Sequence, residues 1–233
     1  MITFVCVEGN IGVGKTSVLK QLEQRGKCVE YEPVELWEEA NLLQLMYTKK
    51  LHLAVFQQTA VQTRWSAIVK TLFERKNGIV FLERSPFSDK DVFCAINVTD
   101  SAELAAYGVM HRAMVNNILV NNTHAPCRWM TVLLETDIDT ARERVAKRDR
   151  KAETQEDAAA FTEYMKRLGD AHDTMFDGIT WPKTRIDVSS VGPAEVADKV
   201  LDFVTHEVKR MDCRESPDSP SSVNHDFTAS ENV

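Results

Sequence analysis

The chain opens on an apolar run, residues 2–7, rich in β-branched side chains, which reads as a strand buried on both faces. Glycines punctuate 9–14, and Val18 and Leu22 then fall at helical spacing within 15–25. Further apolar runs at 28–31, 79–82, 129–134 and 185–188 predict four more strands. Helical patterns occupy 36–48, 51–75, 87–96, 102–120, 138–148, 158–176 and 193–209, the last with Pro193 near its first turn. Strands alternating with helices predict a single α/β domain, its parallel sheet covered on both faces. From about Met211 the residues change to Ser, Pro, Asp and Asn, so a domain over 1–210 and a disordered tail over 211–233 are expected.

Composition narrows the function classes. At 233 residues, 43% hydrophobic and 27% charged, the chain can bury a full core. Its net charge of −7 argues against nucleic acid as a partner, although 142–151 holds six basic residues in ten. Five cysteines, scattered and never spaced as CxxC, suit reduced thiols rather than a disulfide framework or zinc site. No apolar run approaches the roughly 18 residues of a membrane span. A phosphate-binding motif beginning at residue 9 leaves no room ahead of it for a leader, so a cytoplasmic protein is expected.

That motif is Gly9-Asn10-Ile11-Gly12-Val13-Gly14-Lys15-Thr16, a GxxxxGK[ST] string between a strand and a helix. Glycines there let backbone N–H groups turn toward phosphate oxygens, and the helix N-terminus adds partial positive charge. Lys15 is expected to reach the β- and γ-phosphates of ATP, and the Thr16 hydroxyl to ligate Mg²⁺. The chain carries neither the DxxG switch nor the NKxD guanine reader of a GTPase. A dinucleotide-binding GxGxxG fails because its third glycine would fall on Ser17. Kinases acting on small acceptors remain.

Four strings recur in order. They are Glu8-Gly-Asn-Ile-Gly-Val-Gly-Lys-Thr, Glu32-Pro-Val-Glu-Leu-Trp37, Phe56-Gln57 and Glu83-Arg-Ser-Pro-Phe-Ser-Asp89. Together they resemble the deoxynucleoside kinase family, which includes deoxycytidine, deoxyguanosine and herpesviral-type thymidine kinases. The resemblance runs from residue 2 to about 205. It implies a P-loop kinase with a five-stranded parallel sheet in the order 2-3-1-4-5, helices on both faces and an Arg-rich lid. It also implies a homodimer, for which the helices predicted at 51–75 and 102–120 are the candidate interface.

The resemblance implies roles for individual residues, and the chemistry of each is reasonable. A nucleoside 5′-hydroxyl is a weak nucleophile, so a carboxylate beside it helps by taking its proton. Glu32, expected at the end of the second strand, corresponds to that carboxylate. Glu83, at the end of the third, corresponds to a Mg²⁺-positioning group or a second base, and the choice between them stays open. Arg84 would hold the transferring phosphoryl group. Gln57, whose amide both donates and accepts, would read a base edge. Tyr47 and Glu153 match the pair that holds the sugar 3′-hydroxyl, and Trp37 would pack beside the nucleoside. Arg144, Arg148 and Arg150 resemble lid arginines that neutralise phosphoryl charge, and residues 189–192 match the loop near the ATP base.

Ala60, Arg64 and Asp89 occupy the positions that tune base choice in the family. A paired Arg and Asp resembles the deoxycytidine and deoxyguanosine kinases, so a broad deoxynucleoside kinase that takes deoxycytidine well, and thymidine as well, is expected. A kinase with thymidine as its main substrate is one alternative. A thymidylate-type nucleoside monophosphate kinase is another, although an anionic phosphate acceptor has no need of a base such as Glu32. A non-catalytic nucleotide-binding module has no need of Lys15, Thr16, Glu32, Glu83 and the arginines together.

Overall fold

The computed structural model of the protein describes residues 1–115, 127–148 and 158–215. Strands β1 (Ile2–Gly9), β2 (Cys28–Glu30), β3 (Gly78–Glu83), β4 (Cys127–Glu135) and β5 (Lys183–Asp187) form one sheet in the order β2-β3-β1-β4-β5. Every pairing is parallel, with Val7 opposite Glu83, Gly9 opposite Leu134 and Glu30 opposite Leu82. The order is the one expected. It brings the carboxyl ends of β1, β2 and β3 to one edge, where sites of open α/β sheets lie.

Helices cover both faces: α1 (Lys15–Gln24), α2 (Val34–Glu39), α3 (Leu42–Tyr47) and α4 (Leu53–Glu74) come from the first half. Pro86–Ser88, Asp89–Cys94 and Ala95–Asn97 follow without a break as α5, its middle six residues π-helical. Then come α6 (Ser101–Val115), α7 (Ile138–Arg148), α8 (Ala158–Gly178) and α9 (Pro193–Glu215).

The central strand β1 is buried along its whole length because helices pack on both sides of it. Val5 and Val7 face Val18, Leu19 and Leu22 of α1 and Val196, Val200 and Val204 of α9. Ile2, Phe4 and Cys6, one residue out of phase, face Trp65 and Ile68 of α4, with Phe4 stacked on Trp129 at 5.0 Å. Glu8 continues that second row and is fully buried. No helix among the described residues is long and apolar enough to cross a membrane.

Four departures from the sequence expectation matter. The helix expected over 36–48 is two helices, because Asn41 adopts a left-handed conformation with φ 59°, which asparagine tolerates better than most residues. The bend turns both Trp37 and Tyr47 toward one cleft. Strand β2 ends at Glu30, so Glu32 lies in the following loop rather than at the strand end. The helix expected over 87–96 begins at Pro86 behind a Ser85–Ser88 capping box and carries the π-helical insertion at Asp89. The closing helix continues past 210 to Glu215, and residues 216–233 lie outside the described residues.

Helix α1 presents the phosphate-binding loop, and Leu19 anchors it to the sheet without solvent contact. Leu19→Ala should lower stability by about 2–5 kcal/mol, read from urea unfolding midpoints.

Candidate functional site

The loop after β1 has the backbone that phosphate binding demands. Gly9 and Gly12 adopt φ 133° and 78°, a region closed to most L-residues. A Cβ on Gly9 would run into the Leu134 carbonyl, and one on Gly12 into the Ala141 carbonyl. Helix α1 begins behind Gly14 with no side chain capping its N-terminus, which leaves that end suited to an anion. Lys15 is buried and donates to the carbonyls of Gly9 (3.0 Å) and Asn10 (2.8 Å). Burial, with Arg84 nearby, pushes its ammonium down to about 7. The Asn10 side chain ties the loop to α8, its amide donating to the Met165 carbonyl at 2.7 Å while its oxygen accepts from the Ile11 N–H.

Thr16 and Glu83 meet at the head of the loop, the threonine hydroxyl donating to the Glu83 carboxylate at 2.6 Å. A hydroxyl and a carboxylate are hard oxygen ligands that suit Mg²⁺, which usually keeps several waters and takes few protein ligands. The glycine cradle, the buried Lys15 and this oxygen pair fit a Mg²⁺-bound nucleoside triphosphate.

Next to Glu83, Arg84 sits at φ 69°, in the left-handed region although it is not a glycine. Its backbone N–H donates to Val7 O, and its buried guanidinium donates to Gly9 O at 2.9 Å and lies 4.5 Å from the centre of the Phe93 ring. The same guanidinium contacts Nε2 of His172 on α8 at 3.2 Å. Glu32 approaches from the other side, its Oε1 3.6 Å from Arg84 Nε and 2.6 Å from Arg64 Nη2.

Arg64, on α4, also donates to Asp89, the first residue of the π-helical segment. Burial, together with the neighbouring Glu32 and Glu8 carboxylates, outweighs Arg64 and raises Asp89 to about 6. The Arg64 guanidinium lies 5.8 Å from the Trp37 ring, which packs edge-on against Phe56 and donates from its indole N–H to Thr63.

Most of these groups line one cleft of about 960 Å³. Gly12, Gly14, Lys15 and Thr16 form one end of it, while Trp37, Tyr47, Gln57, Ala60, Arg64 and Asp89 form the other. Glu32, Glu83 and Arg84 lie between. Arg148 reaches the same cleft. Arg144 does so while bracing it, its guanidinium donating to Val13 O at 3.0 Å and to Val188 O at 2.9 Å. That ties the loop after β1 to the chain just beyond β5. Arg150 and Glu153 lie outside the described residues. Val13 is buried and serves the core rather than the cleft surface.

Sequence reasoning passed over His172, Phe93 and the buried side chain of Glu8. His172 is a lone histidine on an amphipathic helix, a pattern indistinguishable from an ordinary core residue. Glu8 carried one available signal, a carboxylate near the end of an otherwise uncharged central strand.

Comparisons with known proteins bear on the family and the fold. The family model described as deoxynucleoside kinase matches residues 5–210. The chain is 32% identical over 140 residues to a probable deoxycytidine kinase of Fowlpox virus, a match covering 58% of this chain and about half, 52%, of that protein. It is 28% identical over 221 residues to the thymidine kinase of Ictalurid herpesvirus 1, covering 88% of this chain and 87% of the relative. A solved structure of deoxyadenosine kinase from M. mycoides, with the products dCMP and dCDP bound, shares the fold at TM-score 0.64 and 18% identity. That likeness covers 89% of this chain and 99% of the other.

Asp89 generates a stability prediction. Its folded value of about 6 lies above the ordinary 3.8, so the folded state holds the proton more tightly. Its contribution is therefore complete below about pH 4 and lost as pH rises toward 6. Asp89→Asn should flatten this slope in urea midpoints measured at pH 4, 5, 6 and 7.

Proposed function

This chain belongs to the deoxynucleoside kinase family, and from that premise we propose that it transfers the γ-phosphoryl group of ATP to the 5′-hydroxyl of a deoxyribonucleoside, with deoxycytidine a good acceptor. The observation that carries the proposal is the position of Glu32, a carboxylate between Arg64 and Arg84 inside the cleft that also holds the phosphate loop.

The loop backbone, Lys15 and the N-terminus of α1 hold the donor phosphates. Thr16 and Glu83 are the groups that would hold Mg²⁺, which neutralises charge on the phosphate oxygens. Glu32 takes the proton of the 5′-hydroxyl as that oxygen bonds to the γ-phosphorus. The bond from phosphorus to the β–γ bridging oxygen breaks, and ADP leaves with that electron pair. Arg84 stabilises the transferring group, and Arg144, Arg148 and Arg150 add positive charge on the donor side. At the acceptor end, Tyr47 and Glu153 hold the sugar, Trp37 packs beside the nucleoside, and Gln57 reads the base edge.

The Arg64–Asp89 pair supports a base with an exocyclic amino group. It places a polar wall beside Gln57 where an apolar wall would favour the thymine methyl. The herpesviral relative named a thymidine kinase keeps thymidine in view as an acceptor. A homodimer through α4 and α6 is supported by the large apolar side chains these helices leave exposed, Phe73 and Val109.

Two measurements test this reading. ADP release with each of the four deoxynucleosides should give deoxycytidine the highest or near-highest kcat/KM, and turnover of thymidine alone would overturn the preference. Glu32→Gln should lower kcat by about 10²–10⁴-fold with a smaller change in nucleoside KM. Unchanged kcat removes Glu32 from the mechanism.

A further inference from the structure

Arg84 is held in an unusual way. It combines a left-handed backbone with a guanidinium buried to 3% exposure, and such strain persists only where the surroundings over-determine it. Three of those surroundings are already accounted for. The Gly9 carbonyl belongs to the phosphate loop, Glu32 to the acceptor side, and the Phe93 ring covers one guanidinium face. The fourth, His172, is 2% exposed and belongs to a different element, α8.

The tautomer of His172 follows from its partners. Nδ1 lies 2.7 Å from the Leu168 carbonyl, which can only accept, so Nδ1 carries the ring proton. Nε2 then presents a lone pair, and Arg84 Nη1 donates to it across 3.2 Å. An imidazolium would set a second N–H and a second positive charge against the guanidinium. Burial and Arg84 both oppose that form and push His172 down to about 3. The ring is steadied edge-on against Phe93, with centroids 5.9 Å apart, so His172 and Arg84 share one aromatic wall. Helix α8 also grips the phosphate loop through Asn10 and Met165. It therefore meets the site at two points, one behind the donor loop and one behind Arg84.

We propose that His172 is a positioning residue that fixes the Arg84 guanidinium between the phosphate loop and Glu32 by accepting a hydrogen bond at Nε2. The proposal rests on the reading of Arg84 as the group that stabilises the transferring phosphoryl. A guanidinium aimed at charge that develops only in the transition state acts on kcat more than on ground-state binding. Loss of its rear acceptor should therefore appear in kcat. The Arg84 Nη1–H that loses its partner is buried, and a charged hydrogen bond of this kind corresponds to about a 10–100-fold change in rate.

The test uses the full chain in steady-state assays with ATP and the best deoxynucleoside, alongside thermal unfolding of each variant. His172→Phe keeps ring volume and removes the acceptor. It should lower kcat about 10–100-fold, with KM for ATP within about threefold of the parent. His172→Gln, whose side-chain oxygen reaches the Nε2 position, should recover kcat to within about threefold. In an Arg84→Gln background, His172→Phe should cost less than about threefold, because the partner through which it acts is gone.

A lowered unfolding midpoint with kcat intact overturns the proposal, as does a His172→Phe loss that persists in full in the Arg84→Gln background. If the Phe variant fails to fold, His172→Asn, polar but too short to reach the guanidinium, is compared with His172→Gln by the same criteria. If Arg84→Gln alone leaves kcat unchanged, the role assigned to Arg84 fails and the proposal with it. If Arg84→Gln is impaired while His172→Phe is not, the positioning role alone fails.

Discussion

Lys15, Arg64 and Arg84 are buried at the carboxyl edge of the sheet, within reach of the buried carboxylates Glu83 and Asp89 and the partly buried Glu32. A cation taken out of water costs several kcal/mol unless partners restore what hydration supplied. Each of the three is answered: Lys15 by the Gly9 and Asn10 carbonyls, Arg64 by Glu32 and Asp89, and Arg84 by Gly9, His172, Glu32 and Phe93. The local geometry of the site follows from that need.

The sheet provides the edge, and irregular segments provide the partners. A straight helix over 36–48 would present a single stripe, and the left-handed turn at Asn41 lets Trp37 and Tyr47 address the same cleft. The π-helical insertion begins at Asp89, where it aims a carboxylate at Arg64. Arg84 accepts a strained backbone because four groups hold its side chain. In the last two cases the departure from regular structure lies where a charge must be met.

Arg64 and Arg84 also join the two halves of the cleft. Glu32 touches both, so its carboxylate is set by the Arg64 wall of the cleft and by the arginine beside the loop after β1. Glu8, fully buried at the end of β1, adds negative potential that Arg64 and Asp89 both feel. This dense arrangement explains how one carboxylate of a buried ion pair, Asp89, still sits well above its ordinary range.

The order of elements, the parallel sheet and the phosphate loop were legible in the sequence. They rest on short-range periodicity and on glycines at fixed offsets, which act within a few residues of one another. Glu32, Gln57, Glu83, Arg84 and Asp89 were legible as members of motifs and Arg64 as a position the family resemblance implied, and the tertiary structure decided how they pair. Arg64 with Glu32 joins residues 32 apart in sequence, and Arg84 with His172 joins residues 88 apart. No local pattern marks such a partner. His172 has the spacing of a core residue, and Asn41 and the π-helical turn depend on contacts made after the helices pack. The sequence by itself determined a P-loop kinase fold with a phosphate grip. Only the packed structure decided which charges meet, because burial creates the demand for a partner and the unfolded chain, in water, has none.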